Sequence, residues 1–172
     1  MTRYLVRFLC SSDCGALCQL EAEGSGDAVT ALLGPHDLRL CTGFSGGTGF
    51  LALVDGRPAG YLLYFVRDRE TDCTTPAVRT EFQRTRVTPL RFASLVRTII
   101  DAVDPCWSTV KPDNAAARSL HTMREATVVG QVRDLHGLGA ERIVSKLDRS
   151  SLESLHPKDV RLGLIPRQAV AA

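Results

Sequence analysis

The chain carries no glycine between Gly60 and Gly130. Any tight backbone cradle in that stretch would have to be built from residues with side chains, which rarely adopt positive φ. The glycine-rich stretch that does exist, residues 41–49, is followed by no Lys-Ser/Thr pair. That excludes a P-loop and leaves a flexible connection. Long apolar runs are missing too. The longest, residues 61–66, is far too short to cross a bilayer. The first residues carry Arg3 and Arg7 within their apolar run, so they read as neither a signal peptide nor a membrane span. The cytoplasm is the expected compartment, with no membrane partner. Net charge is only +2, which gives no basis for a nucleic-acid partner. Six cysteines are present but no CxxC pair, so neither a zinc site nor any other metal is expected. Cys10, Cys14 and Cys18 recur every four residues and would share a helix face as small apolar side chains.

What is present suits one globular domain. The 172 residues are 44% hydrophobic and 23% charged, enough for a sizeable core. Residues 3–10 alternate as a first strand. Ser11-Ser12-Asp13 caps a short helix with Leu17 and Leu20, and a second short helix is expected at 27–33. Residues 50–54 and 59–66 flank Asp55-Gly56, a strong tight-turn pair, and predict a hairpin. Both flanks are continuous apolar runs, so both faces should be covered. The charged, threonine-rich stretch 67–76 reads as a loop and residues 78–87 as a strand. Thr88-Pro89 opens a helix with Phe92, Leu95, Val96, Ile99, Ile100 and Val103 on one face. Residues 107–110 form a strand, 114–124 a helix, and 127–135 with 142–147 a second hairpin around Gly137-Leu138-Gly139. The tail, 149–172, has one weak helix near 150–155. Its segment 161–165 reads either as an added strand or as a disordered end.

The most specific motif is residues 106–120, CWSTVKPDNAAARSL. A short β-favouring run meets a Pro-Asp turn, and Asn114 opens an alanine-rich helix. Asn114, with Ala117 three residues on and Arg118 next, resembles a signature of the GNAT acyltransferase superfamily. The element order across residues 3–147 is similar to that fold. The resemblance implies an α/β domain at 1–148, with a mixed sheet of about six or seven strands and helices on both faces. It implies acyl transfer from a thioester, acetyl-CoA or an acyl carrier protein, to an amine of a small molecule or protein. A homodimer is compatible with it. The alternative is a degenerate GNAT-fold module that binds a ligand or a protein.

The resemblance also assigns residues. Glu81, six positions before Val87, stands at the offset of a general base, and reads equally as a surface partner of Arg79 or Arg84. His121, seven positions after Asn114, stands where many members place the tyrosine that protonates the leaving thiolate; it reads also as a surface histidine. The donor's arm would lie along the backbone of Arg84, Thr85, Arg86 and Val87. Phosphate would meet Arg91 and Arg97, with Asn114 completing the donor site. Members place a glycine-rich phosphate loop after the fourth strand. In this chain the strand ending at Val87 leaves only Thr88 before the helix, so that loop is read as deleted.

Overall fold

The computed structural model describes residues 2–24, 49–67, 69–101, 104–133 and 141–164. The expected helix at 27–33, the glycine-rich connection up to residue 48, Cys41, the turn at Gly137–Gly139 and the chain beyond 164 lie outside them. Among the described residues, seven strands hydrogen-bond in the order β1-β2-β3-β4-β5-β7-β6. They are β1 (Tyr4–Phe8), β2 (Gly49–Val54), β3 (Arg57–Arg67), β4 (Glu70–Val78), β5 (Cys106–Val110), β6 (Thr127–Arg133) and β7 (Glu141–Leu147). The helices are α1 (Cys14–Gly24), α2 (Val87–Ile99), α3 (Ala115–Met123) and α4 (Arg149–Arg161). β4 runs parallel to β5, and the other registered pairs are antiparallel, so the sheet is mixed. The chain divides into two compact units, Met1–Tyr64 with Thr75–Leu95, and Phe65–Thr74 with Val96–Ala172.

In the first unit the hairpin forms as its sequence dictates. Asp55 and Gly56 both take positive φ, 50° and 82°, the pair of conformations a two-residue turn needs. The Asp55 carboxylate also accepts a hydrogen bond from the Arg3 backbone N–H at 2.8 Å, tying β1 to the turn. Leu17 and Leu20 of α1 pack on Leu51, Tyr61 and Leu63. Ala52 and Val54, which alternate with Leu51 along β2, pack instead with Val87 at the start of α2. Helices therefore cover both faces of β2, which explains its unbroken apolar run. At Gly60 a β-carbon would stand 2.6 Å from the Ala77 carbonyl, so only glycine permits this approach of β3 to β4. Asp13 is buried beneath Arg7, which grips its carboxylate with two bonds of 2.7 Å.

The second unit holds the antiparallel set β5-β7-β6, with β4 parallel to β5 at its start. Residues 149–161 are the helix α4, longer than the weak helix expected there, and bury Leu152, Leu155 and Asp159. Residues 161–164 close that helix rather than extend as a strand. Gly163 takes φ 66°, and the Leu164 N–H reaches back to the Asp159 carbonyl at 2.9 Å. Asp159 accepts two bonds from Arg124, at 2.7 and 2.8 Å, in a nearly dry setting.

Sequence and structure part company at the fourth strand. β4 is the threonine-rich Glu70–Val78, not residues 78–87. Thr71, fully buried, is β-branched and suits a strand. The alternation at 79–87 belongs to a connection instead: a 3-10 turn at Thr80–Phe82, then a bend into α2. A connecting loop is thus present between β4 and α2. It is glycine-free rather than deleted.

Candidate functional site

In the second unit, three polar side chains meet beneath α3. The helix starts where the sequence says it should: the Asn114 side-chain oxygen accepts the Ala117 N–H at 3.0 Å, satisfying one orphan donor of the first turn. Two turns on, His121 faces the sheet. Its Nε2 lies 3.4 Å from Ser108 Oγ on β5, and its Nδ1 lies 3.2 Å from Ser145 Oγ on β7. Ser108 and Ser145 are direct partners in the β5–β7 ladder, so the two hydroxyls stand side by side and the imidazole bridges them. Ser145 is fully buried, while Ser108 is half-buried. Burial holds the His121 imidazole below its ordinary pKa, so the ring is neutral at neutral pH.

Ser108 has a second positional property. The parallel ladder between β4 and β5 registers Thr71, Asp72 and Cys73 with Cys106, Trp107 and Ser108. β4 continues to Val78 and β5 to Val110. Ser108 thus stands opposite Cys73 in that ladder. On the opposite face of β5, the Trp107 indole N–H donates to Glu70 at 3.1 Å, and the Lys146 ammonium sits over the Trp107 ring.

The first unit holds the β4–α2 connection, residues 79–86. Arg84 is exposed and takes φ 66°, a conformation that costs a residue with a β-carbon and suits glycine. The Thr85 hydroxyl donates to the Phe82 carbonyl at 2.6 Å and lies 3.4 Å from the Val87 N–H, stitching the bend together. Arg86 is exposed. Its carbonyl accepts the first regular bond of the helix, from the Leu90 N–H at 3.0 Å.

Several assignments made from sequence change in this setting. Arg91 is 1% exposed and donates to the carbonyls of Tyr61 and Ala77. It fastens α2 to β3 and β4, and its charge is spent on carbonyl oxygens rather than offered to phosphate. Arg97 lies in the last turn of α2, where it complements the negative helix end. A phosphate at the first turn is out of its register. Val87 is buried with Ala52, Val54 and Ala59, and Arg84–Val87 is not a strand along which an arm could lie. Glu81 sits exposed on the 3-10 turn, after β4 rather than within it, so the offset that singled it out does not hold. Sequence reasoning missed Ser108 and Ser145. The available signal was a serine at an inward position of each strand, between Cys106 and Val110 in one and before Leu147 in the other. Among the described residues no group of His, Cys, Asp and Glu is arranged to hold a metal, and no helix is long and apolar enough to cross a membrane.

No protein-family model matches the sequence, and no curated protein is detectably similar to it. Solved structures are. Ard1 from Thermoplasma volcanium superimposes with a TM-score of 0.74 at 12% identity, over 84% of this chain and 97% of that one. The ribosomal-protein-alanine N-acetyltransferase from Brucella melitensis gives 0.67 at 15% identity, over 84% and 99%. The diaminobutyrate acetyltransferase EctA from Paenibacillus lautus, solved with L-2,4-diaminobutyric acid and coenzyme A, gives 0.71 at 16% identity, over 87% and 96%. With the Asn114–Ala117 cap in place at the foot of α3, the chain has the GNAT fold, its β4–α2 connection built without glycine.

Proposed function

We propose that this protein transfers an acyl group from a thioester donor to an amine. The observation that carries the reading is where His121 stands. The Asn114-capped helix brings it onto Ser108, the β5 residue registered with Cys73 of β4. In the GNAT pattern that helix position serves the leaving thiolate, and the donor's arm runs where those strands part. The arm would bond to β4 backbone beyond Cys73, in place of the 84–87 backbone. Arg84 and Arg86, both exposed, would meet the donor phosphates. Thr85 shapes the bend between them, and the Asn114 amide nitrogen is left for the ligand once its oxygen caps α3. An exposed Glu81 could receive a proton from the amine through water. Phosphates held by two arginines without a glycine cradle suit a donor with one phosphate, such as an acyl carrier protein, as well as acetyl-CoA. A cytoplasmic setting belongs to the same reading.

A second reading is favoured by the glycine-free connection itself: a GNAT scaffold that has given up thioester binding and acts as a binding module. Thermal unfolding separates the two. Acetyl-CoA, CoA or an acylated carrier protein at about 1 mM should raise the melting temperature if any binds the native state. Thiol release should then appear with an N-terminal-alanine peptide or a diamino acid as acceptor. No shift with any donor would leave only the binding module.

A further inference from the structure

We propose that Ser108 is the group that donates a hydrogen bond to the donor's sulfur as the carbon–sulfur bond breaks, and that His121 acts through it. The proposal rests on the acyl-transfer reading and names a catalytic residue within it. Its basis is the direction in which the hydrogen bonds of the buried trio must run. Ser145 is fully buried, and among the described residues its hydroxyl contacts only His121 Nδ1. A buried hydroxyl keeps its proton satisfied. The Ser145 O–H therefore donates to Nδ1, which makes Nδ1 the acceptor and puts the ring proton on Nε2. Nε2–H then donates to Ser108 Oγ, 3.4 Å away. Ser108 has its acceptor side filled and its own O–H left to point outward. Of the three groups, it is the one with solvent exposure on a strand, opposite Cys73 in the β4–β5 ladder.

All three bonds point one way, from Ser145 to His121 to Ser108 and on to sulfur, so each polarises the next. A neutral imidazole suits this arrangement. It conducts polarisation without titrating, and its N–H is far too weak an acid to protonate a thiolate outright. In the step, the amine nitrogen bonds to the thioester carbon and the carbon–sulfur pair leaves on sulfur as thiolate. The nitrogen loses its proton to water. The Ser108 hydroxyl keeps its own proton and stabilises the sulfur charge as it grows.

Two measurements on the full chain test this. Nitrogen-15 NMR of the imidazoles should show His121 as the Nε2–H tautomer. Ser108→Ala should leave it so, and Ser145→Ala should mix the two tautomers. An Nδ1–H tautomer in the parent protein overturns the proposal. In steady-state kinetics with acetyl-CoA, Ser108→Ala should lower kcat by about 10²-fold with little change in KM for the donor. Ser108→Thr, which keeps the hydroxyl, should recover most of it. The deficit should shrink with an aryl thioester, whose thiolate needs less stabilisation. Unchanged kcat in Ser108→Ala, or a deficit equal for both thioesters, removes Ser108 from the reaction. If His121→Phe is slow while Ser108→Ala is not, the acyl-transfer reading stands and this proposal falls. A parent protein that acylates no amine ends both.

Discussion

Two strand–turn–helix segments of this protein contrast sharply. β5 and α3 fold as their residues prescribe: a short β-favouring run, a Pro-Asp turn, and Asn114 capping an alanine-rich helix. β4 and α2 do not. Their strand lies one segment earlier than the alternation suggests, and the alternating residues form the bend between them. The start of α3 is set by a bond between near neighbours, from the Ala117 N–H to the Asn114 side chain. In the second, Arg91 fastens the helix to a carbonyl thirty residues away, on Tyr61. Local chemistry is legible in a sequence; a long-range anchor is not.

The comparison can be broken at its strongest points first. α3 reads locally, yet its far end is pinned by a buried pair. Asp159→Ala removes the buried carboxylate that Arg124 grips and should cost about 3–5 kcal/mol in denaturant unfolding. The double change Asp159→Leu with Arg124→Met should recover much of that loss. A cost below about 1 kcal/mol, on the scale of an exposed pair, would mean that α3 stands on its cap alone.

Arg91→Met tests the other segment. If Arg91 anchors α2, stability should fall by about 3 kcal/mol, since a buried carbonyl and a half-buried one lose a charged donor, while donor affinity per folded molecule holds. Unchanged stability with weakened donor binding would restore its phosphate role.

The Arg7–Asp13 pair supplies a pH test in the first unit. Arg7 bonds, outweighing burial, hold the Asp13 carboxyl at about 2, below its ordinary 3.8. A lowered carboxylate stabilises the fold above the ordinary value and loses that contribution as pH falls through the folded one. Asp13→Asn should therefore cost about 2 kcal/mol near neutral pH. Its deficit relative to the parent should close between about pH 4 and pH 2. A deficit independent of pH would rule out the ion pair as its source.

Smaller effects refine the contrast. Asn114→Ala should cost about 1 kcal/mol, measurable by thermal unfolding, with Asn114→Asp nearly neutral. Arg84→Gly should stabilise by about 1 kcal/mol, because it relieves a positive φ. If Arg84 meets phosphate, the same change should weaken binding of CoA by isothermal titration. A gain in both stability and affinity would show that the missing glycine, not the arginine, is what this connection needs.

The sequence by itself determined the Asp55-Gly56 hairpin, the apolar stripe of α2, the cap of α3 and, through these, the fold class. Each follows from backbone preferences and hydrogen bonds among residues a few positions apart. Position 121 was also marked, by its spacing from Asn114. Only the tertiary structure decided that β4 is Glu70–Val78, that Arg91 is buried on carbonyls, and that His121 lies between Ser108 and Ser145. Strand choice depends on which neighbours pair, and the worth of a buried arginine or serine depends on what it meets. Ser145 meets His121 from twenty-four residues away in the chain, and nothing near either residue announces the other.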